Sequence, residues 1–194
     1  GSLSTHAVYG SGRMYNMCYK VAYEKNAQKL HDALVDLGFR GILYNDVYSI
    51  VPPTECCDPN HPVNSKEAQM WGYKTLEDGA KKLGGVASEG GYDHFASILD
   101  YCLYAIFSDS YENVNVKPMR DAYIPLWHIV YNGTILSCPV SSCVNYTVKE
   151  PDVAMKQLEY GGHPTYYFYS AHRDDAANWM GGRTKTGVSK DLLC

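Results

Sequence analysis

GGVASEGGYDHF (residues 84–95) sets a short apolar run directly before a carboxylate, Glu89, followed by two glycines, Asp93 and His94. GFRGILYNDVYS (38–49) has the same layout and ends its run at Asp46. Between the two, Asn64 with Glu67 three positions on forms a capping-box signature, which predicts a helix from there to about Leu83. Ala68, Trp71, Thr75, Ala80 and Leu83 mark its inward face, and Gly84-Gly85 stop it. Strand, loop, helix, strand, with continuous rather than alternating apolar strands, is the pattern of a parallel sheet covered by helices. Function in such sheets gathers where strands end at their C-termini. Asp46 and Glu89, with Asp109 after a further run, are therefore expected on one rim.

Outward from this centre the pattern continues. RMYNMCYKVAY (13–23) has strand character, and Ala27, Leu30, Leu34 and Leu37 recur at helical spacing over 24–37, with Gly38 at the stop. VYSIVPPTECCDPNHPV (47–63) holds four prolines and reads as a loop. DHFASILDYCLY (93–104) reads as helix, AIFSD (105–109) and YIPLWHIVYNG (123–133) as strands. PDVAMKQLEYGG (151–162) opens a helix on Pro151, PTYYFYSA (164–171) is a strand, and HRDDAANWMGG (172–182) a short helix. About six strands fall short of a barrel needing roughly 250 residues. The expected fold is α/β, as the C-terminal part of a (β/α)8 TIM-like barrel, with an open parallel sheet as the alternative. Residues 1–194 are expected to form one catalytic-barrel region, a fragment of a larger protein, and Gly1-Ser2 read as an expression remnant.

With 45% hydrophobic and 20% charged residues and a net charge of −4, the composition is globular, and neither a nucleic-acid nor a membrane partner is expected. Seven cysteines at irregular spacing make a poor disulfide framework. Reduced thiols favour a cytoplasmic setting, with secretion left open because a native N-terminus is not visible. Eighteen tyrosines against four Phe and three Trp suit surfaces that pack on one side and meet polar groups on the other.

Two carboxylates at neighbouring strand ends fit glycosidic cleavage. One attacks or stabilises the anomeric carbon and the other protonates the leaving oxygen. A separation of about 5–5.5 Å gives retention and about 6.5–9.5 Å inversion. Neighbouring strands about 4.8 Å apart bring both ranges within reach. A strand-end acid also serves as a turn former or cap, and Asp93 as the N-cap of the next helix. His128 in PLWHIV weighs a core role against a site-lining one, beside Trp127 and the closing Tyr131-Asn132. ECCDPNHP (55–62) mixes Cys, Asp and His without a familiar ligand spacing, so no metal is assigned and no cofactor is expected. No phosphate-cradling loop or Gly-x-Ser-x-Gly elbow occurs.

At LYNDVYSIVPPTECCDPNHP, GGVASEGGYDHF and IPLWHIVYNG, the chain resembles the catalytic barrel of the α-N-acetylgalactosaminidase and endo-α-N-acetylgalactosaminidase glycoside hydrolases over residues 38–170. That resemblance implies a (β/α)8 barrel and retaining cleavage of α-linked, GalNAc-containing glycans. It implies Asp46 as nucleophile and Glu89 as acid/base. Tyr48, Tyr92, Asp93, His94, Trp127, His128 and Asn132 are the expected sugar-contacting residues, and the expected partner is a carbohydrate. Two rivals stand beside it: a non-catalytic carbohydrate-binding α/β domain, and a hydrolase using a metal at Cys57, Asp58 and His61.

Overall fold

The computed structural model describes residues 3–9, 12–105, 124–138 and 158–163. The expectations for Asp109, for the strand at 164–171 and for the helix at 172–182 lie outside them, as does most of the helix at 151–162. The chain divides into two compact units. One comprises Gly1–Asn45, Val51–Ala87 and Asp93–Leu99, the other Asp46–Ile50, Ser88–Tyr92 and Asp100–Cys194.

In the first unit, β1 (Thr5–Tyr9) and β2 (Gly12–Tyr15) pair antiparallel. The strand predicted over 13–23 stops at Tyr15, and helix replaces its second half. Cys18 is the N-cap of α1 (Tyr19–Val21), which runs through a π-helical stretch (Ala22–Ala27) into α2 (Gln28–Asp36). No proline or glycine interrupts residues 19–36, so the aromatic and β-branched residues at its start follow the helix rather than their strand preference. β3 (Gly41–Asn45) follows, and then α3 (Ser65–Leu83) and β4 (Gly84–Ser88).

The capping box at α3 is formed as expected. The Asn64 side chain accepts from the Glu67 N–H at 2.9 Å, and the Glu67 carboxylate accepts from the Asn64 N–H at 2.9 Å. Two of the helix's orphan donors are satisfied this way. Asn64→Ala should therefore cost about 1 kcal/mol, read as a lower chemical-denaturation midpoint. An unchanged midpoint would show that the cap is dispensable.

Ala68, Gly72, Thr75, Leu76, Gly79 and Leu83 form the buried face of α3. Gly79 sits where a Cβ would lie 2.8 Å from Leu43 Cδ2 and 3.4 Å from the His31 ring. Its missing side chain lets α3 approach both β3 and α2. The α2–α3 seam is polar: His31, 2% exposed, lies 2.8 Å from Asp78, and Lys82 bridges Asp78 at 3.1 Å and Asp32 at 2.6 Å. These contacts satisfy a histidine that burial alone would penalise.

Among the described residues the main sheet has four parallel strands in the order β3-β4-β5-β6, with β5 at Tyr101–Cys102 and β6 at Leu136–Ser137. Parallel α/β architecture is thus as expected, and among the described strands β3 lies at an edge, with Ile42 and Tyr44 exposed. Two element assignments are corrected. Residues 93–104 are a 3-10 turn (Asp93–Phe95) and then β5 rather than one helix. Leu99 and Cys102 are buried, but the chain between them extends to join the sheet. Residues 123–133 contain a helix, α4 (Leu126–Tyr131), not a strand. Pro125 sits at its N-cap, Trp127 and His128 are buried, and Ile129 and Val130 are exposed. That burial follows a helical face, although the residue types favour β.

Candidate active site

The second unit holds the segments that follow β3 and β4. Asp46 is exposed in the turn directly after Asn45, whereas Glu89, next after Ser88, is only 6% exposed. Both acids stand at C-terminal strand ends, one following each of two adjacent parallel strands.

Ser49 joins the two segments. It is fully buried, its N–H donates to Ser88 Oγ at 3.0 Å, and its hydroxyl contacts the carbonyls of Glu89 and, at 3.1 Å, Gly90. Backbone bonds Leu103 N–H to Ser88 (2.8 Å), Gly90 N–H to Tyr104 (2.9 Å) and Gly91 N–H to Ala105 (2.7 Å) hold the Glu89 turn on the chain after β5. Nothing in the sequence singles out Ser49 and Ser88, because an isolated serine carries no pattern. Their burial is the signal, and it exists only in the fold.

Val47, between Asp46 and Tyr48, has φ of 50°. A β-branched residue rarely enters the left-handed region, at a cost of about 1–2 kcal/mol. Strain of this kind collects at functional turns.

Close packing requires the two glycines after Glu89. A Cβ on Gly90, where φ is +80°, would overlap Ile50 Cγ1. A Cβ on Gly91 would lie 2.7 Å from Trp127 Cδ2 and 2.8 Å from the Ala105 carbonyl. Protein atoms occupy the space that side chains would need.

Trp127 and His128 lie together on α4, 7% and 5% exposed. Trp127 contacts Tyr131 with ring centroids 4.3 Å apart, and His128 stacks on Tyr160 at 5.3 Å. The indole N–H and both His128 ring nitrogens are buried and find no hydrogen-bond partner among the described residues. Asn132 is exposed at the C-cap of α4, its side chain packed against Gly161. Tyr48 is half-buried and Tyr92 is 47% exposed. These residues share the second unit with Asp46 and Glu89. Asp93 and His94 belong to the first, where Gln69 Nε2 donates to the His94 carbonyl at 3.0 Å and the His94 ring meets Phe95 edge-on.

Burial depresses the His128 pKa, and burial likewise depresses that of His94 against a smaller opposing pull from Asp93. A histidine kept neutral by the fold but free to protonate near pH 6.5 when unfolded makes the unfolded state bind more protons in acid. Stability should therefore fall as pH drops below about 6.5 and continue falling toward the lowered native values. In His128→Phe, which keeps a ring against Tyr160, the decline in urea midpoint between neutral and acidic pH should shrink. An unchanged slope would mean His128 does not contribute. Burial pushes the Cys102 thiol up to about 12, with the nearby Glu89 charge adding to the rise and a backbone hydrogen bond at Tyr104 opposing it. Cys102 is therefore neutral and inert.

The proline-rich loop departs from the metal arrangement raised as a rival. Cys57 is exposed, and Cys56 is the cysteine that faces His61, at 3.3 Å. Among the described residues no helix is long and apolar enough to cross a membrane.

No protein-family model matches the chain, and no curated protein does. Solved structures do. The α-N-acetylgalactosaminidase NagBb from Bifidobacterium bifidum in its GalNAc complex matches with a TM-score of 0.71 and 20% identity over 100% of this chain and 29% of its own. The ligand-free form gives 0.69 and 20%, over 90% of this chain and 28% of its own. A quadruple mutant gives 0.70 and 20%, over 88% and 27%. The chain thus spans little more than a quarter of those proteins' length. At this identity the likeness establishes fold: over the matched length, this chain is folded like part of that glycosidase.

Proposed function

We propose that the chain is part of the catalytic barrel of a retaining α-glycosidase acting on α-linked, GalNAc-containing glycans. The observation that carries the reading is the pair of acids ending adjacent parallel strands, one exposed and one buried, in a fold like that of an α-N-acetylgalactosaminidase. Two carboxylates in unlike environments can take unlike roles. Asp46, open to solvent, is the nucleophile that attacks the anomeric carbon and forms the glycosyl-enzyme bond. Glu89, shielded, gives its proton to the departing oxygen and then takes one from the water that releases the sugar. Strand spacing of about 4.8 Å is compatible with the separation of about 5–5.5 Å that retention requires.

The surroundings supply the chemistry a sugar needs. Trp127, Tyr48 and Tyr92 offer faces for C–H-rich sugar surfaces. His128, Asn132 and the Trp127 N–H offer hydrogen-bonding groups for hydroxyls.

The test is a screen of the full-length protein against nitrophenyl α- and β-glycosides, with the first-formed anomer followed by NMR. Release of α-GalNAc as the α-anomer supports the reading. Hydrolysis of β-glycosides only, or a β-anomer product, overturns the family carry-over or the retaining assignment respectively. Binding of GalNAc with no hydrolysis of any glycoside favours the carbohydrate-binding alternative.

A further inference from the structure

Cys18, Cys56 and His61 come together in the first unit, although the sequence separates the first from the others by nearly forty positions. One donor atom from each lies within 4.8 Å of the other two, and all three residues are half-buried. Cys56 Sγ and His61 Nδ1 are 3.3 Å apart. Tetrahedral zinc, with bonds of about 2.3 Å to sulfur and about 2.0 Å to nitrogen, sets its ligand atoms about 3.5 Å apart.

The loop is built to hold this pairing. Cys56 and Val63 exchange backbone hydrogen bonds at 2.7 and 2.9 Å. Within that bridge, Asp58 turns the chain by accepting from the Asn60 N–H at 2.8 Å, and the His61 N–H bonds to the Asp58 carbonyl at 3.1 Å. Asp58 also stands 3.6 Å from His61 Nε2, the nitrogen facing away from the thiols. A carboxylate behind the far nitrogen of a histidine is the usual outer partner of a metal-bound imidazole. Cys18 approaches from the N-cap of α1, an element otherwise remote in sequence.

We propose that Cys18, Cys56 and His61 bind a zinc ion that ties the proline-rich loop to the start of α1. Two thiols release their protons on binding, so two thiolates and one neutral imidazole balance the dication. The fourth position is left to water. Because the loop closed by this link runs from residue 18 to residue 56, binding also removes unfolded-state freedom. The role is structural and independent of the glycosidase reading.

The test uses the full-length protein, purified in reductant without metal-affinity chromatography, stripped with chelator and titrated with Co²⁺. The expected result is about one cobalt per chain, with thiolate-to-cobalt charge transfer in the near ultraviolet that Zn²⁺ displaces. Cys18→Ser, Cys56→Ser and His61→Ala should each lose the band. Cys57→Ser should keep it, and Asp58→Asn should weaken binding about 10–100-fold. Should the ligand variants fail to fold, alkylation of the wild type decides: zinc should protect Cys18 and Cys56 while exposed Cys57 reacts. No cobalt band in reduced wild-type protein, equal labelling of the three thiols, or a native Cys18–Cys56 disulfide would overturn the proposal.

Discussion

Asp46→Asn in the full-length protein is expected to lower turnover about 10⁴-fold or more, on natural α-GalNAc glycans and activated aryl glycosides alike. That corresponds to about 5 kcal/mol of lost transition-state stabilisation. In the proposed mechanism, no glycosyl-enzyme can form without the Asp46 nucleophile, whatever the leaving group. Glu89→Gln should behave differently. Its proposed role divides into giving a proton and then activating water, each worth about 10²–10⁴-fold. With a leaving group that needs no protonation, the first step should survive and the glycosyl-enzyme should accumulate, visible by mass spectrometry. Added azide, which needs no general base, should then restore turnover to Glu89→Gln as a glycosyl azide of retained configuration. Near-normal activity in either variant removes that residue from the mechanism. The opposite pattern of azide rescue would exchange the two roles.

Gly91→Ala should lower stability by about 1–3 kcal/mol, as overpacking typically does. The added methyl would meet the Trp127 ring at 2.7 Å and the Ala105 carbonyl at 2.8 Å. The backbone oxygen cannot yield without lengthening the 2.7 Å bond it accepts from Gly91 itself. Trp127 can yield only by leaving its contact with Tyr131. Thermal unfolding should fall by roughly 2–4 °C per kcal/mol, and, with Trp127 displaced, KM should rise more than kcat falls. Gly133→Ala is the control. Gly133 has φ of +83° but nothing within 4 Å of where the new methyl would stand, so its cost is backbone strain alone. Equal losses in the two variants would show that contact at Gly91 is unimportant.

Some of this molecule was legible without coordinates. The capping box, the glycine stop and the apolar run of β4 are local signals, written in residues that touch one another in the chain, and each formed where expected. The strand ends at Asp46 and Glu89 followed, because a strand, a helix and a second strand of suitable lengths leave little choice but a parallel pair. Where local preference and burial disagreed, reading failed. Leu126–Tyr131 is made mostly of strand-favouring residues yet folds as a helix that buries Trp127 and His128, and Tyr101–Cys102 join the sheet instead of coiling.

What the sequence determined by itself was the alternation of elements, since hydrophobic periodicity and caps act over a few residues. Tertiary structure alone decided which distant groups meet: Ser49 with the Glu89 turn, Trp127 with Gly91, and Cys18 with Cys56 and His61. Those meetings depend on how packed elements exclude water and one another's atoms, which no short stretch of chain encodes.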